Sequence, residues 1–400
     1  MSVLNPSPGA AVRRPWLAVT AAALATFSVV TTEMLPVGLL TAMAADLGSA
    51  TGSTGLVISL PALLAALFAP LVVLAAGGID RRRLLCGLLA LLVVANIASA
   101  LAPGLAWMLA ARVLVGLCMG GIWAVAGGLA ARLVPAASVG LATSLIFGGV
   151  AAASVLGVPL GAWVGEMLGW RWAFGGMAAL SGAVWLLLIV ALPPLPTHHV
   201  VRLRQFGALL ALRPLQLGWG LTLLLVAGHF AAFTFVRPLL QSVSGFGAQW
   251  IGPLLFGYGM AGIAGNFLVG MVAARHTWRA LAVIAAGLLL VPLLFLAVGT
   301  SPVGGGAALL VWGLAYGGVS VGLMTWVMKA APQAVEAATA LYVALFNIGI
   351  GLGAWLGGQV IDRAGLTANL WCAAALAGGA GLLVLGMAPA IPRPTKLENR

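Results

Sequence analysis

The sequence predicts an all-α membrane protein in which twelve transmembrane helices form two pseudo-symmetric bundles of six. Three observations predict it. Of 400 residues, 62% are hydrophobic and only 6% are charged, where a soluble domain of this length carries roughly a quarter charged residues. The charges are clustered, leaving uncharged runs between Asp46 and Asp80, Arg83 and Arg112, Arg132 and Glu166, and Arg237 and Arg275. Each run can hold a helix of about 20 residues, the length that crosses a hydrocarbon core. Finally, residue patterns of the first half recur in the second at a nearly constant offset.

Breaks at charges, Pro and Gly place helices at 16–40, 53–77, 84–102, 105–131, 139–166, 171–193, 215–242, 250–274, 279–299, 303–330, 335–360 and 368–389. In lipid every backbone amide needs an internal partner, so these runs are expected to be helical. Arg13 and Arg14 ahead of the first run imitate a secretory signal. The run from Trp16 to Leu40 is too long for one, and more apolar segments follow, so it is taken as an uncleaved first helix. The fifth segment carries small residues at every fourth position, Gly149, Ala153, Gly157, Gly161 and Gly165, with Pro159 among them. The eleventh repeats the pattern with Gly349, Gly353 and Gly357. That spacing lets helix backbones approach closely, and Pro159 removes a backbone hydrogen bond and gives a reason for a bend. Generic packing and a hinge both account for the stripe.

The longest polar interruption, Pro193 to Pro214, contains Arg202, Arg204 and Arg213 and leaves six helices on each side. The expected organisation is a tail (1–15), a first bundle (16–193), a central loop (194–214), a second bundle (215–390) and a second tail (391–400). Arg132-Leu133-Val134-Pro135 recurs as Lys329-Ala330-Ala331-Pro332, and Gly120-Gly121 as Gly317-Gly318, both at an offset of 197. Gly157, Gly161 and Arg83 match Gly353, Gly357 and Arg279 at 196, and Thr32 and Pro36 match Thr234 and Pro238 at 202. Such repeats place a binding site between the halves near the membrane midplane, with rocking about it giving alternating access.

Basic residues orient the chain. Arg13, Arg14, Arg81, Arg82, Arg83, Arg132, Arg202, Arg204, Arg213, Arg275, Arg279, Lys329, Arg393, Lys396 and Arg400 share one side of a twelve-helix threading, with only Arg171 and Arg363 on the other. The positive-inside rule then makes both termini and the central loop cytoplasmic, in a bacterial inner membrane. The net charge of +12 does not indicate nucleic-acid binding, because these residues sit at the ends of apolar runs and not on a solvated face interleaved with aromatics. Cys86, Cys118 and Cys372 lie in or beside apolar runs without metal-ligand spacing and read as buried small hydrophobes. With no metal-ligand cluster, catalytic triad or phosphate loop, the chain is expected to be no enzyme and to need no cofactor or metal. Each monomer is expected to be a complete transport unit.

Glu33 is the most informative residue. It lies inside the first helix, in Thr31-Thr32-Glu33-Met34-Leu35-Pro36, where an ionisable group costs about 2.5 kcal/mol or more unless it faces a cavity or a partner. It is a candidate proton carrier, or else a carboxylate permanently paired with a cation. Arg112, at a similar depth in the fourth helix, is its candidate partner for proton coupling; the alternative is an Arg bonded to helix carbonyls. Arg237, before Pro238, is expected to snorkel to the interface. His229 is deeper in the seventh helix, as a substrate or proton group or as a packing residue. The candidate substrate-binding set is Thr32, Trp123, His229, Phe233, Tyr342 and Asn347, with Asn266, Trp326 and Phe346 as further cavity groups.

At these residues the sequence resembles the major facilitator superfamily, and within it the twelve-helix drug:proton antiporters, notably bacterial sugar, purine-nucleoside and chloramphenicol exporters. Gly157-Val158-Pro159-Leu160-Gly161 resembles the helix-5 antiporter motif, and Arg112 with Gly116 the helix-4 motif whose Arg is implicated in proton coupling. Trp312-Gly313-Leu314-Ala315-Tyr316-Gly317-Gly318 resembles the nucleoside and sugar exporter branch. Asp80 and Arg81 match the gating loop, although Ala76 and Arg83 stand where that motif has glycines, so Asp80 either gates or is held locally by Arg83. The resemblance implies a cavity lined by helices 1, 4, 7 and 10, with Asp80, Arg81, Gly157, Pro159 and Gly161 as gating residues. It implies a proton-coupled antiporter exporting a drug, sugar or nucleoside by alternating access. The alternative is a facilitator or importer of a small metabolite without proton coupling.

Overall fold

The computed structural model describes residues 15–75, 79–135, 138–196, 209–332 and 335–387. The first half contains α1 (Pro15–Asp46), α2 (Thr51–Thr54 followed by Leu56–Ala75), α3 (Arg81–Ala100), α4 (Leu105–Leu133), α5 (139–168) and α6 (Trp170–Ala191). The second contains α7 (213–243), α8 (Ala248–Ala273), α9 (Arg275–Val298), α10 (Pro302–Ala330), α11 (335–364) and α12 (366–387). Eleven helices among the described residues are long and apolar enough to cross a membrane. The last, Leu341–Gly386, holds 46 residues, which at 1.5 Å per residue is about twice a hydrocarbon core. It bends at Gly365 (φ 82°) into α11 and α12, so the chain makes about twelve crossings. Residues 1–14, 197–208 and 388–400 fall outside the described set, and with them Arg13, Arg14, Arg202, Arg204, Arg393, Lys396 and Arg400. So does Ala76.

One face of the bundle, here the tail face, carries the start of α1 and the end of α12. There the Arg81 amide donates to the Leu195 carbonyl (3.0 Å), and the indoles of Trp278 and Trp326 donate to the carbonyls of Val384 and Pro214 (2.8 and 2.9 Å). On the far face, Arg171 pairs with Asp46 and donates to the Ala102 carbonyl (2.9 Å). Trp107, Trp172, Trp250 and Trp371, near the far-face starts of α4, α6, α8 and α12, are exposed.

Helix 1 was expected to end at residue 40. It runs on to Asp46, which puts Glu33 near its middle. Pro36 lies inside it and leaves it continuous. Two other prolines disturb their helices. Pro159 cannot donate to the Val155 carbonyl, and the turn ahead of it, Ala153–Gly157, widens to π geometry. In α7, expected to be continuous, the α-helix stops at Phe233 and Phe235 leaves helical geometry (φ −110°, ψ 23°). A π turn follows at Leu239–Val243. Pro238 has no N–H for the Thr234 carbonyl, so the break falls on that missing bond.

The small-residue stripes are the seams within each half. A Cβ on Gly157, Gly161 or Gly165 would lie 1.9–2.2 Å from side-chain atoms of Thr31, Leu35 or Leu39 of α1. On Gly353 and Gly357 it would meet the main-chain carbonyls of Ala227 and Ala231 of α7 at 2.4 and 2.2 Å. Without a hydrophobic drive between helices in lipid, this closeness supplies the packing contact. The repeat also extends to turn geometry. Gly169, after α5, and Gly365, after α11, are 196 residues apart and both have positive φ (93° and 82°), which favours glycine.

Three sets of polar contacts join the two halves in the far half of the membrane. Asp362 of α11 accepts from the Gly52 amide (2.8 Å) and the Ser53 hydroxyl (3.1 Å). Ser59 of α2 donates to the Gly351 carbonyl (2.6 Å). Arg237 of α7 donates to the Gly38 carbonyl (2.6 Å) and pairs with Glu166 of α5 (3.1 Å). The second half's core continues through this seam into Val37, Ile58, Ala62, Val158 and Ala162. This is an arrangement closed on the far side.

Candidate functional site

Two clusters occupy the centre, one from each half. In the first, Arg112 is fully buried and its Nη1 donates to the Thr32 carbonyl (2.9 Å). That carbonyl is the one Pro36, four residues on, cannot serve, so the guanidinium takes the place of a missing amide. The guanidinium carbon sits 4.7 Å from the centroid of the Phe174 ring, within cation–π range. Asn96 of α3, also fully buried, donates to the hydroxyls of Thr32 (3.1 Å) and Ser181 (3.4 Å).

Glu33 is 3% exposed, and its Oε1 has no hydrogen-bond partner among the described residues; nor have Arg112 Nε and Nη2. The two side chains are within electrostatic reach of each other, but the ion pairs found among the described residues are Arg171–Asp46 and Arg237–Glu166. Arg112 thus bonds to a helix carbonyl here and not to Glu33. Glu33 is also within electrostatic reach of Tyr316 of the second half.

The second cluster is aromatic. His229 stacks on Tyr316 (ring centroids 3.4 Å apart) and on Phe233 (4.8 Å), and Phe233 stacks on Tyr258 (4.7 Å). Trp312 stands edge-on to His229, Phe233 and Tyr258, and its Nε1 donates to His229 Nδ1 (2.9 Å). An indole N–H can only donate, so Nδ1 carries the lone pair and the ring proton is on Nε2. His229 is therefore a neutral imidazole whose protonation at Nδ1 would break the Trp312 bond. Nε2 and the Tyr258 hydroxyl have no partner among the described residues.

The remaining candidates spread along the molecule. Tyr342 of α11 is buried, directs its hydroxyl at the Ser320 carbonyl (3.5 Å) and stands 5.8 Å from Phe346. Asn347 donates to the Val343 carbonyl of its own helix (2.9 Å), leaving Oδ1 without a partner. Trp123 is half-buried against the first-half core, and Asn266 is exposed. Thr32 belongs to the Arg112 cluster and Phe233 to the aromatic one.

Asp80 caps α3, accepting from the amides of Arg82 (2.8 Å) and Arg83 (3.4 Å) through one oxygen and Leu195 (2.8 Å) through the other. It is held within its own half by main-chain groups. Arg81, beside it, joins the same loop through its amide. Arg237 corrects the snorkelling expectation: it is 4% exposed because two acceptors of the opposite half hold it in the seam.

Sequence reasoning missed Asn96, Phe174 and Ser181, and the site roles of Tyr258, Trp312 and Tyr316. Asn96 was detectable as a lone amide in an apolar run. Trp312 and Tyr316, one helical turn apart on α10, stand out in the sequence as part of a motif, which does not reveal them as partners of His229.

Residues 22–354 match the Major Facilitator Superfamily profile. The chain belongs to this superfamily. Among curated relatives, it is 34% identical over 369 residues to the transcription regulatory protein OpdE of Pseudomonas aeruginosa, covering 90% of this chain and 91% of that one. Among solved structures, it superposes on a bacterial homologue of the human lysosomal transporter Spinster, captured inward-facing and occupied, with a TM-score of 0.76 at 15% identity. That match covers 97% of this chain and all of the other. The human organic anion transporter MFSD10 (TETRAN) gives 0.66 at 20% identity, over 93% and 99% of the two chains. At these identities the structural likeness shows the major facilitator fold. As a member of this superfamily, the protein is a multi-pass secondary transporter of a small molecule by alternating access, and not an enzyme.

Proposed function

We propose that the protein is a proton-coupled antiporter that exports a small, neutral or weakly polar organic compound, with Glu33 as the proton carrier and Arg112 as its partner. The observation that carries this reading is the pair's geometry. A buried carboxyl with an unpartnered oxygen sits within electrostatic reach of a guanidinium that is bonded elsewhere. An isolated buried carboxylate is costly, so this arrangement suits Glu33 carrying its proton. Once the proton leaves, the carboxylate needs a cation, and Arg112 has Nε and Nη2 available. Moving the guanidinium from Thr32 to Glu33 changes what joins α1 to α4 and so shifts the balance between conformations.

His229, Phe233, Tyr258, Trp312 and Tyr316 form the second-half wall of the proposed substrate site, with Thr32 and Trp123 opposite and Tyr342 and Asn347 along α11. The neutral tautomer of His229 suits a hydrogen-bonding wall better than a proton carrier. Sugars, nucleosides and amphenicol antibiotics share the required chemistry of polar groups around an apolar body.

The halves, residues 16–193 and 215–390, are taken as the two rocking units, with the α5 glycines and Pro159 as the hinge and Asp80 and Arg81 holding the loop after α2. The tail face is assigned to the cytoplasm of a bacterial cell, with the tails and central loop there. The name of the Pseudomonas relative refers to transcription. Here every described segment is a membrane helix or a short connection, so a regulatory effect of this chain would follow from what it moves.

The test is efflux in inverted membrane vesicles, wild type against Glu33→Gln, with and without a pH gradient, over nucleosides, sugars and antibiotics. Gradient-driven transport in the wild type that falls at least tenfold in the variant supports the proposal. Flux indifferent to the gradient in both proteins would show a facilitator and overturn proton coupling.

A further inference from the structure

The far-side seam contains two acidic residues at equivalent places in the duplicated fold. Glu166 and Asp362 are 196 residues apart, the offset that relates Gly157 to Gly353 and the turn glycines Gly169 to Gly365. Each acid therefore stands three residues before a positive-φ glycine, at the far end of α5 or α11. Each also reaches into the opposite half. Glu166 of the first half pairs with Arg237 of the second (3.1 Å), whose other nitrogen holds the Gly38 carbonyl. Asp362 of the second half holds the Gly52 amide and the Ser53 hydroxyl of the first.

We propose that Glu166 and Asp362 are a duplicated latch: two symmetry-related carboxylates that set how much time the transporter spends closed on the far side. The acids are positioning residues, acting through the contact between the halves and not on the transported compound. The backbone around them has the shape such a latch needs. A Cβ on Gly52 would stand 2.2 Å from the Gly358 carbonyl oxygen, and one on Gly358 2.5 Å from the Gly52 carbonyl oxygen. The two main chains therefore touch where Asp362 binds. Both carboxylates lie at the exposed rim of the seam, with the Glu166 side chain 32% accessible, so the acids themselves can let go into water, while the buried Arg237 ties release of Glu166 to opening of the seam. The latch needs alternating access alone and holds whether or not Glu33 carries a proton.

The test reads conformation without substrate or gradient. In full-length protein with Cys86, Cys118 and Cys372 changed to Ser, spin labels on cysteines at Pro103 and Val303, exposed far-face positions of opposite halves, report the far-side distance in lipid nanodiscs. Asp362→Asn and Glu166→Gln keep shape and remove charge. Each is expected to raise the ratio of far-open to far-closed populations roughly tenfold, the scale of losing one charge-assisted bond. The double variant should raise it roughly a hundredfold if the sites act independently. Gly358→Ala, whose Cβ would meet only the Gly52 main chain and no charged group, wedges the seam and should also lengthen the distance.

A double variant that keeps the starting distribution while Gly358→Ala opens the seam would show that packing alone closes it, and the latch would be wrong. No change in either would show that this seam is not the gate, and would equally overturn the latch. Should the double variant elute as aggregate, the single exchanges decide by the same readout.

Discussion

At the charged centre, Pro36 takes an amide away from the Thr32 carbonyl, and Arg112, eighty residues along the chain, supplies the donor. A lysine cannot stack flat on Phe174 while donating to that carbonyl. Arg112→Lys is accordingly expected to keep the fold and lose at least tenfold in gradient-driven flux, measured in the same vesicles. Trp312→Phe should leave His229 Nδ1 without its donor and cost about 1–3 kcal/mol, read as a lower melting temperature of the purified protein. Glu33 and Arg112 were legible in the sequence because an ionised residue inside an apolar run has few reasons to be there. Ser181 and the partners of Asn96 were not, since a small polar residue in a helix can bond to its own turn. Only packing shows that Asn96 reaches Thr32, sixty-four positions away.

The duplicated helices are built alike but tolerate change differently. On α5, the atom a Cβ at Gly161 would strike is a terminal methyl of Leu35, which can rotate aside. On α11, Gly353 and Gly357 face main-chain carbonyls of α7, which cannot. Gly353→Ala and Gly357→Ala are therefore expected to cost about 1–3 kcal/mol, the range for overpacking, and Gly161→Ala clearly less. Thermal unfolding of the three purified variants checks the order. The spacing of the glycines was readable along the chain; the partner of each stripe was not. The helices broken by proline also divide by context. Thr32-Pro36 and Thr234-Pro238 are the same pattern, yet α1 stays continuous and α7 breaks. In α1 the freed carbonyl has Arg112, and the break in α7 is where Arg237 enters the seam.

For the whole molecule, the repeat and the charge-free runs made twelve helices in two halves legible. The state was not legible, because it depends on which residues of the two halves meet. The observed closure can be trapped. Cysteines replacing Ser53 and Asp362, whose side chains meet across the seam, should cross-link under oxidation and stop flux, and reductant should restore it. The Trp residues on the far rim have a further consequence, concerning the bilayer itself. Indoles settle at the headgroup level, so Trp107, Trp172, Trp250 and Trp371 anchor the far rim, against Trp16 at the start of α1 on the tail face. A thicker or thinner membrane is then accommodated at the opposite surface, through tilt and through reach of the long arginine side chains. That surface lies opposite the contacts that join the halves, which makes membrane thickness a physical variable acting on the tail face of the transporter while the far-side seam stays in place.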